Sequence, residues 1–230
     1  MGKAGRLQLG SPFLWCLEMV VLLPVPNQNE PTMRHFANWT DTSTAQHWFE
    51  QLVEKVPWKQ EQIKLFGRCH LLPRLTCWMA DPGCGYRYSN LENQIEPWLP
   101  ITNIIRQKII ATVGSSFNSL LLNYYRNGND AMGWHADDEP ELDPFAPIAS
   151  LSLGASRTFR FKQKVRFKQK SRSCEPNSQK TISLELNHGD LLIMDYPTQQ
   201  NWVHAIPRRL KIKEARLNLT FRLVRSGLNQ

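Results

Sequence analysis

Between Asp41 and Val56 the apolar residues Trp48, Phe49, Leu52, Val53 and Val56 recur three and four positions apart, as on one face of an α-helix. Asp41 or Thr42 stands where an N-cap belongs. A second stripe, Ile101, Ile104, Ile105, Ile109 and Ile110, follows Pro100, which suits a first helical turn, and predicts a helix over 100–113. The interval from Trp58 to Tyr88 is rich in aromatics, Pro and Gly and reads as short strands and loops. Beyond Gly114 the texture changes. β-forming runs at Ser119–Tyr125, Ile148–Leu153, Arg157–Phe161, Thr181–Leu186, Asp190–Met194, Trp202–Ile206 and Arg216–Val224 are separated by turn residues, which predicts an antiparallel sandwich or barrel. His188-Gly189-Asp190 marks a tight turn between two of them.

A chain of 230 residues that is 41% hydrophobic can bury one sizeable core, so one catalytic domain is expected. Residues 1–32 are expected to form an extension of uncertain order. Residues 33–230 would form the domain, with helices and a lid in 33–113 and the β core in 114–226. Lys3 and Arg6 precede an apolar run from Pro12 to Pro26 that superficially resembles a signal peptide. Glu18 interrupts it, it is too short to span a bilayer, and no small-x-small site follows it, so an extension, or a true start at Met33, is the preferred reading. The expected location is therefore cytoplasmic in a bacterium and nuclear in a eukaryote, with no membrane partner; a monomer is the default.

Charge adds a partner class. A net charge of +8 and a pI near 9.4 suit a polyanion, because Lys and Arg on phosphates release counterions. Arg160-Phe161-Lys162-Gln163-Lys164 is repeated as Arg166-Phe167-Lys168-Gln169-Lys170, and the basic run continues past Arg172. A solvated hairpin extension is the preferred reading, with a phosphate-contacting arm as the alternative. Five scattered cysteines without a CxxC pair suit reduced thiols. A zinc site from Cys69, Cys77 and Cys84 fits no common spacing.

Candidate chemistry lies in two places. His135-Ala136-Asp137, with His204 on a later strand, supplies two imidazoles and a carboxylate; on one face of an octahedral metal these leave three adjacent positions open, as in non-heme Fe(II) oxygenases. Strand alternation would place His135 and Asp137 on the same side, with His204 arriving from a neighbouring strand. In Arg216-Leu217-Asn218-Leu219-Thr220-Phe221-Arg222, alternation sends Arg216, Asn218, Thr220 and Arg222 to one face. If that face is internal, its guanidinium groups need anions, and a dicarboxylate is a good candidate; the alternative is a basic face in water.

With these elements in this order the sequence resembles the AlkB family of 2-oxoglutarate-dependent dealkylases over about Trp58 to Val224. The resemblance rests on Pro73-Arg74-Leu75-Thr76, Tyr86-Arg87-Tyr88-Ser89, Asn123-Tyr124-Tyr125, His135-Ala136-Asp137-Asp138-Glu139-Pro140, Ile148 to Gly154, Gly189-Asp190-Leu191-Leu192 and Arg216 to Arg222. It implies a mainly β fold with flanking helices, a double-stranded β-helix (jelly roll) supported by N-terminal α-helices. It implies His135, Asp137 and His204 as iron ligands. Asn123, Tyr125, Arg216, Asn218 and Arg222 would contact 2-oxoglutarate, Arg216 on the distal carboxylate and Arg222 near the one at the metal. Bidentate carboxylate pairing explains a guanidinium there. Asp138 would meet the damaged base, a choice that suits bases that are cationic at neutral pH. Tyr86 and Tyr88 fall in the nucleotide-recognition lid; which of Trp78, Tyr86 and Tyr88 stacks on the base stays open. Arg157 would support the 2-oxoglutarate site or Asp138.

The implied activity is oxidative demethylation of 1-methyladenine and 3-methylcytosine in DNA, with RNA left open. It consumes Fe(II)-dependently 2-oxoglutarate and O2, and releases formaldehyde, succinate and CO2. The same scaffold could hydroxylate a protein, a lipid or a small molecule. A non-catalytic nucleic-acid-binding module with a structural metal is the third reading, opposed by the paired Arg216 and Arg222, which a structural metal does not need.

Overall fold

The computed structural model describes residues 30–65, 67–84, 87–88, 91–92, 95–164 and 181–225. The chain runs β1 (Met33–Phe36), α1 (Thr42–Lys55), β2 (Gln62–Leu65), β3 (Arg68–Leu71), β4 (Leu75–Ala80), β5 (Arg87–Tyr88), β6 (Leu91–Glu92), α2 (Pro100–Val113) and β7 (Ser119–Tyr125). It continues through β8 (Met132–His135), β9 (Ile148–Gly154), β10 (Arg157–Gln163), β11 (Thr181–Leu186), β12 (Leu191–Met194), α3 (Thr198–Asn201), β13 (Trp202–Ile206) and β14 (Arg216–Arg222).

Both long helices begin and end for local reasons. The Asp41 carboxylate accepts the Thr44 N–H at 2.9 Å and caps α1. α2 opens on Pro100 and closes at Gly114, whose φ of 73° is the left-handed conformation a C-cap favours. α1 buries Ala45, Trp48 and Leu52, and α2 buries Thr102, Ile105 and Ile109. Ile104, expected on the apolar face, is instead 59% exposed, because it lies about 100° around the helix from Ile105.

Two antiparallel sheets form the body. One has the order β1-β12-β9-β14-β7-β4, the other β11-β10-β13-β8. From β7 onward consecutive strands therefore alternate between the two sheets except at the β10–β11 hairpin, which stays within the smaller sheet; this is the jelly-roll arrangement. The larger sheet separates two apolar clusters by side-chain alternation. One face sends Leu217, Leu219, Phe221, Leu120, Leu122, Leu151 and Leu153 against α1 and α2. The other face meets the smaller sheet around Tyr125, Phe159, Phe161 and Trp202. Strand β14 lies between β7 and β9, and all seven of its residues are buried. Its polar face is internal, so the alternative of a basic face in water does not hold.

Boundaries differ from the sequence reading in a few places. β14 stops at Arg222, short of Val224, and β10 extends to Gln163. The first copy of the basic repeat thus begins inside a strand, with Phe161 fully buried. β10 and β11 pair in antiparallel register, Lys162 opposite Thr181; the second copy and residues 165–180 lie outside the described residues. β1 and β8 carry no alternation that the sequence announces. The segment 1–29, with its apolar run, Cys174 and Tyr86 also lie outside the described residues. Among the described residues no helix is long and apolar enough to cross a membrane.

The turn at 188–190 joins sheet and helix layers. Gly189 has φ 87°, and a Cβ there would lie 2.7 Å from the Thr40 carbonyl oxygen. Asp190, fully buried, accepts N–H groups from Asn38 and Asn187 at 2.9 Å and faces His35 Nε2 at 3.1 Å. Burial opposes its ionisation, but these hydrogen bonds outweigh it and hold the carboxyl below its usual range. A depressed carboxyl stabilises the fold above the unfolded-state pKa and loses that contribution as pH falls through the folded one. Asp190→Asn is therefore expected to lower stability at pH 7 by about 1–3 kcal/mol. The gap to the parent protein should close as pH drops below about 4 in urea titrations. A gap that persists undiminished at low pH would contradict this account.

Candidate active site

The site is built where the two sheets face each other. β13 pairs with β8 so that His204 stands directly opposite His135. Their ring centroids are 4.1 Å apart. The sequence reading put Asp137 on the same strand as His135, but β8 ends at His135 and Asp137 lies in the irregular segment that follows. What fixes it there is tertiary. Its backbone N–H donates to Gln199 Oε1 at 3.0 Å, and its Oδ1 lies 2.8 Å from Arg222 Nη2 and 3.9 Å from His135 Nε2.

Ligand atoms of His135, Asp137 and His204 all lie within 4.8 Å of one another, the one such grouping among the described residues. Burial lowers the pKa of His135, and burial above all pushes His204 down to about 3, so both imidazoles are neutral and able to donate a lone pair. Burial disfavours ionised Asp137, but the charge and hydrogen bond of Arg222 lead the effects that overcome it and keep the carboxylate charged. His135 Nδ1 is 2.8 Å from the Gly133 carbonyl; assigning it the proton leaves Nε2 free toward Asp137. His204 Nδ1 is buried with no hydrogen-bond partner among the described residues. Two neutral imidazoles and one anionic oxygen, held by neighbours and partly unsatisfied, fit a divalent metal of the iron type. Cys69, Cys77 and Cys84 form no such group; Cys77 and Cys84 are buried, and burial pushes the Cys77 thiol up to about 12.

Next to the triad is an inner cavity. Its walls bring together Asn123, Tyr125, Arg216, Asn218 and Arg222 with His135, Asp137 and His204. Sheet register explains the grouping: Asn218 faces Asn123 on one side and Ser152 on the other, and Arg216 faces Tyr125. Arg216 is 1% exposed. Its Nη2 donates to Ser152 Oγ at 2.9 Å, while Nε and Nη1 are buried without a hydrogen-bond partner. Burial lowers its pKa to about 10, which still leaves it charged at neutral pH. A buried cation with two idle donors is what a bound carboxylate would satisfy. Asn218 Nδ2 donates to Ser150 Oγ at 2.8 Å, and Arg74 Nε to Asn123 Oδ1 at 2.7 Å.

An outer cavity of about 160 Å³ opens beside the inner one and shares Asp137 and Arg222 with it. Asp138, Glu139, Leu142, Gln199 and Gln200 are among its other walls. Asp138 stands at the boundary with solvent, its side chain 55% exposed, and pairs with Lys164 at 2.6 Å. Sequence reasoning missed Lys164 and Gln199, since neither belongs to a pattern that foretells this contact.

Arg157 and Trp78, two of the residues considered for the substrate side, line neither cavity. Arg157 is 1% exposed and donates to the carbonyls of Asp130 at 2.9 Å and Pro207 at 2.7 Å. It lies over the Tyr125 ring, 5.6 Å from its centroid, and so supports the inner cavity from behind. Trp78 is buried in β4, outside any lid, with Arg222 5.9 Å from its ring centroid. Tyr88 falls on β5, which pairs with β6.

Residues 32–222 match the model of the 2OG-Fe(II) oxygenase superfamily. The chain is similar to "DNA oxidative demethylase ALKBH2" of Homo sapiens, 39% identical over 176 residues that cover 76% of this chain and 66% of the relative. It is also similar to "Alpha-ketoglutarate-dependent dioxygenase alkB homolog 3" of Homo sapiens, 38% identical over 194 residues, 82% and 65% of the two chains. It spans 62% of the bovine and 72% of the mouse ALKBH2. The solved structure titled "The structure of OsALKBH1" aligns at a TM-score of 0.53 over 84% of this chain and 97% of that one, with 16% identity, a likeness of fold.

Removing either donor class should separate the two halves of the site. His204→Ala is expected to abolish stoichiometric Mn(II) uptake in calorimetric titration. Arg216→Met should leave Mn(II) uptake intact but weaken 2-oxoglutarate binding roughly 10- to 100-fold, the worth of about 1.5–3 kcal/mol for a charged hydrogen-bonding partner. Unchanged 2-oxoglutarate affinity in Arg216→Met would remove the inner cavity from consideration.

Proposed function

We propose that this chain, which belongs to the 2OG-Fe(II) oxygenase superfamily and within it to the AlkB family, removes N-methyl groups from 1-methyladenine and 3-methylcytosine in DNA. The observation that carries this reading is the pair of cavities joined at Asp137 and Arg222. One holds the donors for a metal and a dicarboxylate, and the other would present a half-exposed carboxylate, Asp138, paired with Lys164, to an incoming base. The name of the relative at 39% identity, a DNA oxidative demethylase, supports oxidative demethylation of DNA, and that of the relative at 38%, an alpha-ketoglutarate-dependent dioxygenase, supports the cosubstrate.

His135, Asp137 and His204 would hold Fe(II), which with 2-oxoglutarate and O2 supplies the oxidation that turns the N-methyl carbon into formaldehyde, with succinate and CO2 as by-products. Arg216 would take the distal carboxylate of 2-oxoglutarate, with Asn123, Tyr125 and Asn218 along its length. Arg222 anchors Asp137 from the opposite side and would help hold the carboxylate nearest the metal. Arg157 and Ser152 hold Tyr125 and Arg216 in place, so the donors need no rearrangement when the anion arrives. The apolar layer around Phe159 and Phe161 backs His204 and excludes water from that side. Asp138 gives the outer cavity negative charge, which favours a methylated base that is cationic at neutral pH. In a duplex that base must first leave the stack. Residues 33–230 would act as one unit, since α1 and α2 share a core with the sheet that carries Arg216 and Arg222.

Incubation of the protein with Fe(II), 2-oxoglutarate, ascorbate and air is expected to release formaldehyde from an oligonucleotide carrying 1-methyladenine or 3-methylcytosine and to restore the base by mass. His135→Ala should abolish both products, and Asp138→Ala should selectively reduce turnover of the methylated base. Consumption of 2-oxoglutarate with every methylated oligonucleotide left intact would keep the oxygenase and refute the substrate, in favour of a protein, lipid or small molecule.

A further inference from the structure

Lys164 follows the last residue of β10, and its backbone N–H donates to the Asn201 carbonyl at 2.8 Å, which fixes where its side chain starts. The ammonium donates to Asp138 Oδ2 at 2.6 Å and to the Gln199 carbonyl at 2.8 Å. Asp138 and Gln199 both line the outer cavity. Thus the carboxylate that would meet a cationic base already carries a cation supplied by the protein. The two side chains are 27% and 55% exposed, so the pair exchanges with water or another cation at small cost. Arg222, by contrast, is locked against Asp137 with both groups at most 2% exposed.

We propose that Lys164 is the exchangeable counter-ion of Asp138 and thereby sets which alkylated bases the outer cavity accepts, yielding to a cationic base and staying in place beneath an uncharged one. The proposal rests on Asp138 as the base contact. A cationic base must compete with the ammonium for one carboxylate, so part of its electrostatic gain is cancelled by the ion pair it breaks. An uncharged base has no charge to offer. Without Lys164 its ring would strip water from a bare carboxylate, which is unfavourable; with Lys164 the carboxylate stays paired. Lys164 therefore narrows the difference between cationic and uncharged adducts. A lysine suits this use, because its compact charge sits on a flexible stem that leaves the site by rotamer changes alone.

The test is equilibrium binding of labelled single-stranded oligonucleotides by fluorescence anisotropy, with the full chain, Mn(II) and 2-oxoglutarate under anaerobic conditions. The oligonucleotides carry 1-methyladenine, which is cationic, 1,N6-ethenoadenine, which is uncharged, or adenine. Lys164→Met is expected to tighten 1-methyladenine binding about two- to fivefold relative to adenine, the worth of an exposed ion pair. Ethenoadenine binding should be unchanged or weaker, and Lys164→Arg should restore the parent ratio. In an Asp138→Asn background the Lys164→Met effect should vanish. Equal shifts for all three oligonucleotides would make Lys164 a phosphate contact and overturn the proposal, as would an unmoved ratio or an effect that survives in Asp138→Asn. Formaldehyde release by the parent protein separates the two claims. If it demethylates but the ratio is unmoved, only the Lys164 assignment falls; if it neither demethylates nor prefers the lesion, both fall.

Discussion

Two guanidinium groups on the inner face of one fully buried strand are the constraint to which the rest of the structure answers. Arg216 and Arg222 are separated by three repeats of the strand period, so both point between the sheets, where a charge without an anion is untenable. Arg222 is answered by Asp137, and through that ion pair the segment after β8 is tied to the middle of the larger sheet. Among the described residues Arg216 is answered by a serine hydroxyl and the ring of Tyr125, not by an anion. The fold thus holds one internal cation satisfied by protein and another positioned for an anion that the protein does not itself provide. That asymmetry gives the inner cavity a direction, and under the proposed function a dicarboxylate would put its far end at Arg216 and its near end by the triad.

Much of this was legible in the sequence because alternation has only two outcomes. Once the segment from Arg216 to Arg222 is a strand, its polar and apolar residues must face opposite ways, and the apolar set must meet the helices whose stripes were equally visible. The same logic paired His204 with a neighbouring strand. It failed where position depends on tertiary contacts. Asp137 lies past the end of β8, held by Gln199 and Arg222, and no local pattern signals such a hold. β8 itself, Met132 to His135, is too short and too irregular to announce a strand. For Arg157 the sequence left open whether it supports the 2-oxoglutarate site or Asp138, because a lone arginine near the metal strands does not reveal which layer it enters; its hydrogen-bond partners are main-chain carbonyls and it backs Tyr125. The basic repeat looked like a solvated unit, yet Phe161 of its first copy is core and Lys164 reaches Asp138.

Exposure then divides the site into two kinds of electrostatics. In the inner cavity every charged group is nearly water-free, so its partners are strongly preferred and slow to exchange, which suits a metal and a cosubstrate that must be held in one geometry. In the outer cavity Asp138 is half in water, where an ion pair contributes little and can be replaced by another. Under the proposed function, a base that arrives on a polymer in one of several alkylated forms would suit that exchangeable kind of contact. The two regimes lie next to each other because Asp137 and Asp138 are consecutive in the chain, yet one carboxylate turns inward to Arg222 and the other outward to Lys164. A single peptide unit thus separates the group that must not exchange from the group that must, and the Gln199 side chain and carbonyl, bound to Asp137 and Lys164 in turn, keep that unit in register with both cavities.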